Sequence, residues 1–399
     1  MEEEYKYLRI GTSVYKVISR PTASGEYVRL LTPWSYSALA HDEGREYASN
    51  IPKYDGFCTM PEHVNYSRNI GTFYNLYEPI THQSQPGEFP HIEQLVKHIF
   101  GEQHELGMDY LQLLYLRPVQ KLPIMLLVSE ERNTGKTTFL NFLKAIFQSN
   151  VTFNTNEDFR SKFNSDWAGK LIIAVDEVLL DRREDAERLK NLSTAIRYKM
   201  EAKGKDRQEV DFFGKFVLCS NNETFPIFID REETRYWVRK VTPLEHDDTD
   251  FLRKLESEIP AFLHHLQSRA MTTTEQSRMW FRPEDIHTEA LERIIKSCRS
   301  KTELDMAETI QELMTAENVE TLMFCKEDLK KWMEYFGYKV DMTQMRTVLR
   351  HVWKLPHADN AYTYTTYEID YMSPTHFREK RNTGRYYTLT KDKIGHLDC

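Results

Sequence analysis

Lys136 and Thr137 close a Gly-Lys-Thr step in PIMLLVSEERNTGKTTFLNFLKAIF, after an apolar run from Ile124 to Val128 and before a helical stretch. A strand that turns through a loop into a helix presents backbone N–H groups at the helix N-terminus, where they hold phosphate oxygens. In that setting Lys136 reaches the β- and γ-phosphates of a nucleotide and the Thr137 hydroxyl coordinates magnesium. Asn133, Thr134, Gly135 and Thr138 complete the cradle. The pattern G-x-x-x-x-G-K-[ST] is incomplete, because Glu130 stands where its first glycine belongs. That glycine mainly permits a turn, so its loss alters the loop's path and leaves the phosphate contacts in place.

Three more runs share one form, an apolar strand that ends in polar residues. In GKLIIAVDEV the run Leu171 to Val175 delivers Asp176 and Glu177. A strand apolar at every position is buried on both faces of a parallel sheet, and its acids emerge at the carboxyl edge, where ligands bind. Asp176 is placed to bind magnesium and Glu177 to orient and deprotonate an attacking water. GKFVLCSNNE ends in Asn221, which could hold that water or the γ-phosphate; Asn-Asn is also a good turn. In PIFIDREETRYWVRKV, Arg235 precedes the apolar–aromatic strand Tyr236 to Val238. Its guanidinium suits either charge neutralisation on a neighbouring subunit's phosphoryl group or an ion pair with Glu232 or Glu233.

The elements that must position these residues are legible at coarse grain. A chain of 399 residues is long for one core and predicts two or three domains. Residues 1–90 read as an α+β region of short strands and turns, closed by the polar junction THQSQPGEFP. Residues 91–270 read as a helical lead-in, HIEQLVKHIFG and MDYLQLLYLRPVQ, followed by alternating strands and helices, the pattern of a parallel α/β sheet. FLRKLESEIPAFLHHLQSR is helical, with Pro260 marking a kink or break. Residues 271–320 form a helical connector. Residues 321–399 give helix, helix, strand, strand, the order of a winged helix. There Arg346 and Arg350 lie four apart on one helix, and Arg378, Lys380, Arg381 and Arg385 precede or open the last strand. Together they form a basic surface for DNA, or else a solvated helix face and basic loop, or a protein-docking domain.

Composition narrows the class without naming a partner. The hydrophobic fraction is 40% and the charged fraction 29%, ordinary for a globular protein. No stretch nears the ~20 apolar residues of a membrane span. The opening MEEEYKYLRIG lacks the apolar run of a signal peptide, so a cytoplasmic location is expected. Cys58, Cys219, Cys298, Cys325 and Cys399 form no C-x-x-C pair, and the histidines show no metal-ligand spacing, which argues against disulfide frameworks and structural zinc. A net charge of −8 gives no sign of nucleic-acid binding and does not exclude a local basic surface.

Taken in order, NTGKTT, the strand ending Asp176-Glu177, the strand ending Cys219-Ser220-Asn221 and the step Thr234-Arg235-Tyr236 resemble superfamily 3 helicases. The likeness is greatest to the helicase parts of phage and plasmid primase-helicases and of poxvirus-like ones. FYNLYEP with its following helical pair is similar to the lead-in those phage proteins carry. The resemblance implies an AAA+-type P-loop NTPase core that uses ATP and Mg²⁺. It implies a ring, usually a hexamer, that moves on single-stranded DNA and opens forked DNA in phage, viral or mobile-element replication. In that family a hairpin between the second and third motifs carries a lysine into the central pore. The matching stretch is YKMEAKGKDRQEV, with Lys203 and Lys205 at its turn, also readable as a solvated basic loop. The first ninety residues are too short for a full primase domain, so any primase is expected to be missing or separately encoded, and a separate primase or polymerase is an expected partner. Two rival functions stay open, a replication initiator or DNA-remodelling ATPase and a DNA-binding scaffold switched by ATP without unwinding.

Overall fold

The computed structural model describes the chain except residues 1–4, 24–26, 162–166, 181, 201–207, 231, 245–247, 299–300 and 394–399. It divides into two units, residues 1–294 and 295–399.

Runs of β-branched and aromatic residues open the first unit as β1 (Tyr7–Ile10), β2 (Ser13–Pro21) and β3 (Tyr27–Trp34). Two short helices follow, α1 (Tyr36–Glu43) and α2 (Arg45–Asn50), where the sequence suggests only strands and turns. Ser35 explains the first: its hydroxyl accepts the Ala38 N–H at 3.1 Å and caps the helix. With β4 (Lys53–Tyr54) the strands pair in the order β3-β2-β1-β4. Strand alternation sends Tyr7 and Val14 against Leu39 and Ala48, and Leu8 and Ile10 against Tyr74. A second small sheet holds β5 (Gly56–Cys58), β6 (Asn69–Ile70) and β7 (Phe73–Asn75) in the order β5-β7-β6.

The lead-in is a helix pair, α3 (Pro90–Phe100) and α4 (His104–Leu116). Gly107 lets them close, since a Cβ there would come within 2.4 Å of the Phe100 ring. Buried His63 ties the small sheet to α4. Its Nδ1–H donates to the Tyr115 carbonyl at 2.8 Å, and Nε2 is left to accept the Tyr77 hydroxyl at 2.8 Å. Acceptance at Nε2 needs a neutral ring, and burial holds its pKa below the ordinary value.

The centre of the unit runs β8 (Ile124–Val128), α5 (Lys136–Phe147), β9 (Val151–Phe153), α6 (Asn156–Arg160), β10 (Ile172–Val175), α7 (Arg183–Thr194), β11 (Arg197–Met200), β12 (Gln208–Asp211), β13 (Lys215–Ser220) and β14 (Tyr236–Lys240). Five of these strands form one parallel sheet in the order β14-β8-β13-β10-β9. β8, β10 and β13 are buried at every position because both faces are covered. On one face Val217 and Cys219 join the core built with α3, α4, α5 and α8 (Phe251–Ser268). On the other, Phe216 sits among Phe159, Trp167 and Phe212. α8 runs on through Pro260, so of the kink or break that the sequence suggests the break does not occur, and the Pro260 carbonyl accepts the Gln85 N–H at 3.1 Å. α9 (Glu289–Ser297) leads out of the unit.

The second unit packs α10 (Lys301–Ala316), α11 (Lys326–Tyr335) and α12 (Met342–Thr347) around Met306, Ile310, Trp332, Leu349 and Trp353. β15 (Thr321–Phe324) pairs antiparallel with β18 (Tyr387–Thr390), and β16 (Tyr362–Ile369) with β17 (Phe377–Gly384). β15 and β17 are strands the sequence did not show. β17, FREKRNTG, is exposed along most of its length and carries no alternation of burial to read.

Candidate active site at the carboxyl edge of the parallel sheet

β13 inserts between β8 and β10, so the ends of three strands stand side by side. The chain leaves β8 toward the far edge strand β9, while β14 covers β8's other side. A reversal of strand order of this kind opens a crevice at the carboxyl edge. The loop after β8, the acids after β10 and the Asn221 turn after β13 meet there.

The loop turns on two residues in the left-handed region, Asn133 at φ 54° and Gly135 at φ 79°, which asparagine and glycine tolerate best. Gly135 then caps α5, whose first residue is Lys136. Lys136 is buried at 6% exposure, and its Nζ donates to the neutral Thr134 hydroxyl at 3.0 Å. Burial pushes its pKa down, opposed in part by the charges of Asp176 and Glu223. A desolvated ammonium whose acceptor is a neutral hydroxyl is suited to an anion. The next side chain completes the pattern. The Thr137 hydroxyl donates to Asp176 Oδ2 at 2.8 Å, across from one strand end to another. A hydroxyl and a carboxylate facing each other offer the oxygen donors a hard divalent cation takes.

Three outside groups hold the loop. His98 on α3 donates from Nε2 to the Thr134 carbonyl at 3.0 Å. The Leu244 N–H donates to the Asn133 carbonyl at 2.9 Å. Glu223 accepts the Glu130 N–H at 3.2 Å, so the position without glycine is tied down by a carboxylate.

Glu177 has φ 58°, a strained setting for a non-glycine residue that costs about 1–3 kcal/mol. Its neighbours fix it: Asn156 donates to the Glu177 carbonyl at 3.2 Å and accepts the Leu179 N–H at 3.0 Å, while the Val178 N–H reaches the Cys219 carbonyl at 2.7 Å. Asn221 Nδ2 lies 3.5 Å from Glu177 Oε1, a long contact. Thus Lys136, Thr137, Asp176, Glu177 and Asn221 are gathered on one edge.

Arg235 is engaged within its own chain. Its Nη1 donates to both oxygens of Glu233, at 3.1 and 2.9 Å, and Glu233 also lies 3.4 Å from Lys190. Of the two sequence readings, this structure contains the ion pair with Glu233. The Arg235 Nε is buried without a hydrogen-bond partner. The pore-hairpin expectation meets an antiparallel pair, β11 with β12, in which Arg197 faces Asp211 and Met200 faces Gln208. Lys203 and Lys205 lie outside the described residues.

In the second unit Arg346 and Arg350 are both exposed. α12 ends at Thr347 and Val348–Val352 is a π-helical turn, and across that junction residues four apart still lie close to one face. Arg350 Nε donates to the Tyr387 hydroxyl at 3.2 Å. Arg378 and Lys380 are paired with Glu368, at 2.6 and 2.8 Å. Their charges are directed to a neighbouring strand.

Sequence reasoning missed His98, Asn156 and Glu223. For Glu223 a signal existed, a carboxylate two residues past the Asn221 strand tip; for His98 nothing local marks it.

Residues 127–239, from β8 through most of β14, match a family model described as "Family of unknown function (DUF5906)". No curated protein matches the chain. Among solved structures, the apo C-terminal region of NrS-1 (305–718) aligns over 96% of this chain and 95% of its own, with TM-score 0.65 and 16% identity. The fold is shared with the NrS-1 C-terminal region. A second structure of that region, an A form, gives TM-score 0.63 and 15% identity over 96% of each chain. The likeness spans the whole chain, so β8–β14 and both flanking regions belong to one shared architecture. A JCV helicase overlaps only loosely, with TM-score 0.30 and 12% identity over 56% of this chain.

Proposed function

We propose that this chain is an ATP- and Mg²⁺-dependent DNA helicase of the superfamily 3 kind. The observation that carries the reading is the pairing of Thr137 with Asp176 beside a buried Lys136 whose acceptor is a neutral hydroxyl. In this reading Asn133, Thr134, Gly135 and Thr138 wrap the phosphates with backbone and hydroxyl donors, and Lys136 meets the β- and γ-phosphates. Thr137 and Asp176 hold Mg²⁺, which when bound neutralises charge on the phosphate oxygens. Glu177 takes a proton from water as its oxygen bonds to the γ-phosphorus and the bond to the β-phosphate oxygen breaks, giving ADP and phosphate. Asn221, next to Glu177, orients that water or the γ-phosphate.

Arg235 acts in trans in this reading, from one subunit onto the nucleotide of the next, which requires it to leave Glu233. The antiparallel pairing of β11 with β12, on either side of residues 201–207, supports the pore assignment for Lys203 and Lys205. The second unit serves as a winged-helix-like DNA contact through Arg346 and Arg350. A ring, which brings Arg235 to a partner's site, then tracks single-stranded DNA. The test is ATP hydrolysis with and without single-stranded DNA, followed by unwinding of a forked duplex. DNA-stimulated hydrolysis with strand separation supports the helicase; hydrolysis without separation assigns a remodelling ATPase; binding without turnover assigns an ATP-switched scaffold.

A further inference from the structure

Glu223 is a carboxylate only 5% exposed that binds three separate elements. One oxygen accepts the Glu130 N–H of the phosphate loop at 3.2 Å. The other takes Lys240 Nζ, at the end of β14, at 2.9 Å, and Arg293 Nη1, on α9, also at 2.9 Å. Burial would raise its carboxyl pKa, but the Lys240 and Glu130 bonds and the Arg293 charge hold it below the ordinary value. Its charge also reaches Lys136. α9 is fastened a second time, since Thr288 donates to the Val238 carbonyl at 2.6 Å and accepts the Leu291 N–H at 3.2 Å. Past Arg293 the chain leaves this unit.

We infer that Glu223 is a positioning residue that links the phosphate loop to α9, so that nucleotide binding and docking of α9 favour each other. This rests on the nucleotide reading of the loop. The loop's first turn is held through the Glu130 N–H by the Glu223 carboxylate, and a carboxylate beside an anion site repels the ligand unless it is neutralised. Lys240 and Arg293 supply the neutralising charge. Removing Arg293 therefore leaves a more negative surround for the phosphates, and phosphates in the loop favour the docked Arg293. Linkage makes the two effects equal.

The measurement is binding of a non-hydrolysable ATP analogue with Mg²⁺, paired with hydrogen exchange of α9 backbone amides in the full chain. In the wild type, bound analogue slows exchange over α9. Arg293→Ala weakens analogue binding roughly five-fold and removes the slowing. Glu223→Gln keeps an acceptor for the Glu130 N–H and loses the charge that repels the phosphates, so analogue binding is not weakened while the slowing over α9 is lost. Lys296→Ala removes a cation from the exposed side of the same helix and changes neither readout. Analogue binding with unchanged α9 exchange, or Arg293→Ala binding as tightly as wild type, overturns the linkage and spares the nucleotide reading. A wild type that binds no analogue overturns both.

Discussion

The cations of the sheet edge and those of the C-terminal hairpin are used in opposite ways. Lys136 is buried with a neutral hydroxyl as its acceptor, whereas Arg378 and Lys380 stand in solvent with Glu368 between them. Desolvating an ammonium without a carboxylate partner is costly, and a fold keeps such a group where a ligand's negative charge will complete it. Exposed pairs such as those around Glu368 contribute little to stability and leave little charge for a ligand. Arg235 falls between the two, half-buried and paired with Glu233 but with an unpartnered Nε. Exposure and partners, more than residue type, separate the cations expected to act from those expected to be silent.

The sharpest break of that contrast is at Lys136. Lys136→Ala should lower ATP hydrolysis by about two orders of magnitude or more, because charge builds on the phosphates in the transition state. Near-normal turnover in a folded variant would remove the loop from the chemistry. Glu177→Gln should retain analogue affinity and lose roughly 10²-fold in turnover, since Thr137 and Asp176 still hold the metal while the water loses its base. Joint loss of affinity and turnover would make Glu177 a binding residue instead. Arg235→Ala should bind ATP and hydrolyse it slowly, and mixing it with Lys136→Ala chains should restore part of the activity. Mixed assemblies as inactive as their components would place Arg235's role within its own chain, with Glu233.

What was legible in the sequence divides along the same line. An apolar run followed by Gly-Lys-Thr, and another followed by Asp-Glu, report local chemistry and buried strands, and β8 matches its expected bounds. Strand order is different: no local pattern tells that β13 lies between β8 and β10, yet that placement brings Asn221 to Glu177. Glu223 is marked locally only as a carboxylate two residues past Asn221; its three partners, at residues 130, 240 and 293, are joined by no local pattern. In the second unit β17 was missed because a two-sided polar strand has no periodic burial.

Two smaller effects sharpen the comparison. Replacing Arg346 and Arg350 with alanine should weaken fork binding most at low salt and leave basal ATPase intact, while Arg378→Ala with Lys380→Ala should change it little. Equal losses from both pairs would show that the Glu368 pairing does not withhold charge. His63 supplies a pH effect of known sign. Its folded pKa is lowered, so below about pH 6.5 the unfolded chain takes up the proton first and stability falls as pH falls. Thermal melts between pH 7.5 and 5.5 should show this decline, and His63→Gln should flatten it. An identical decline in the variant would assign the effect to other groups.

The most direct test is phosphate release from ATP by the purified chain, measured with Mg²⁺, without it, and in a Thr137→Ala, Asp176→Ala pair of variants. Thr137 and Asp176 facing each other beside Lys136 predict release that requires Mg²⁺ and collapses in both variants. Release that persists without a divalent cation, or that survives in either variant at the wild-type rate, would contradict the assignment of this edge as the Mg²⁺–ATP site.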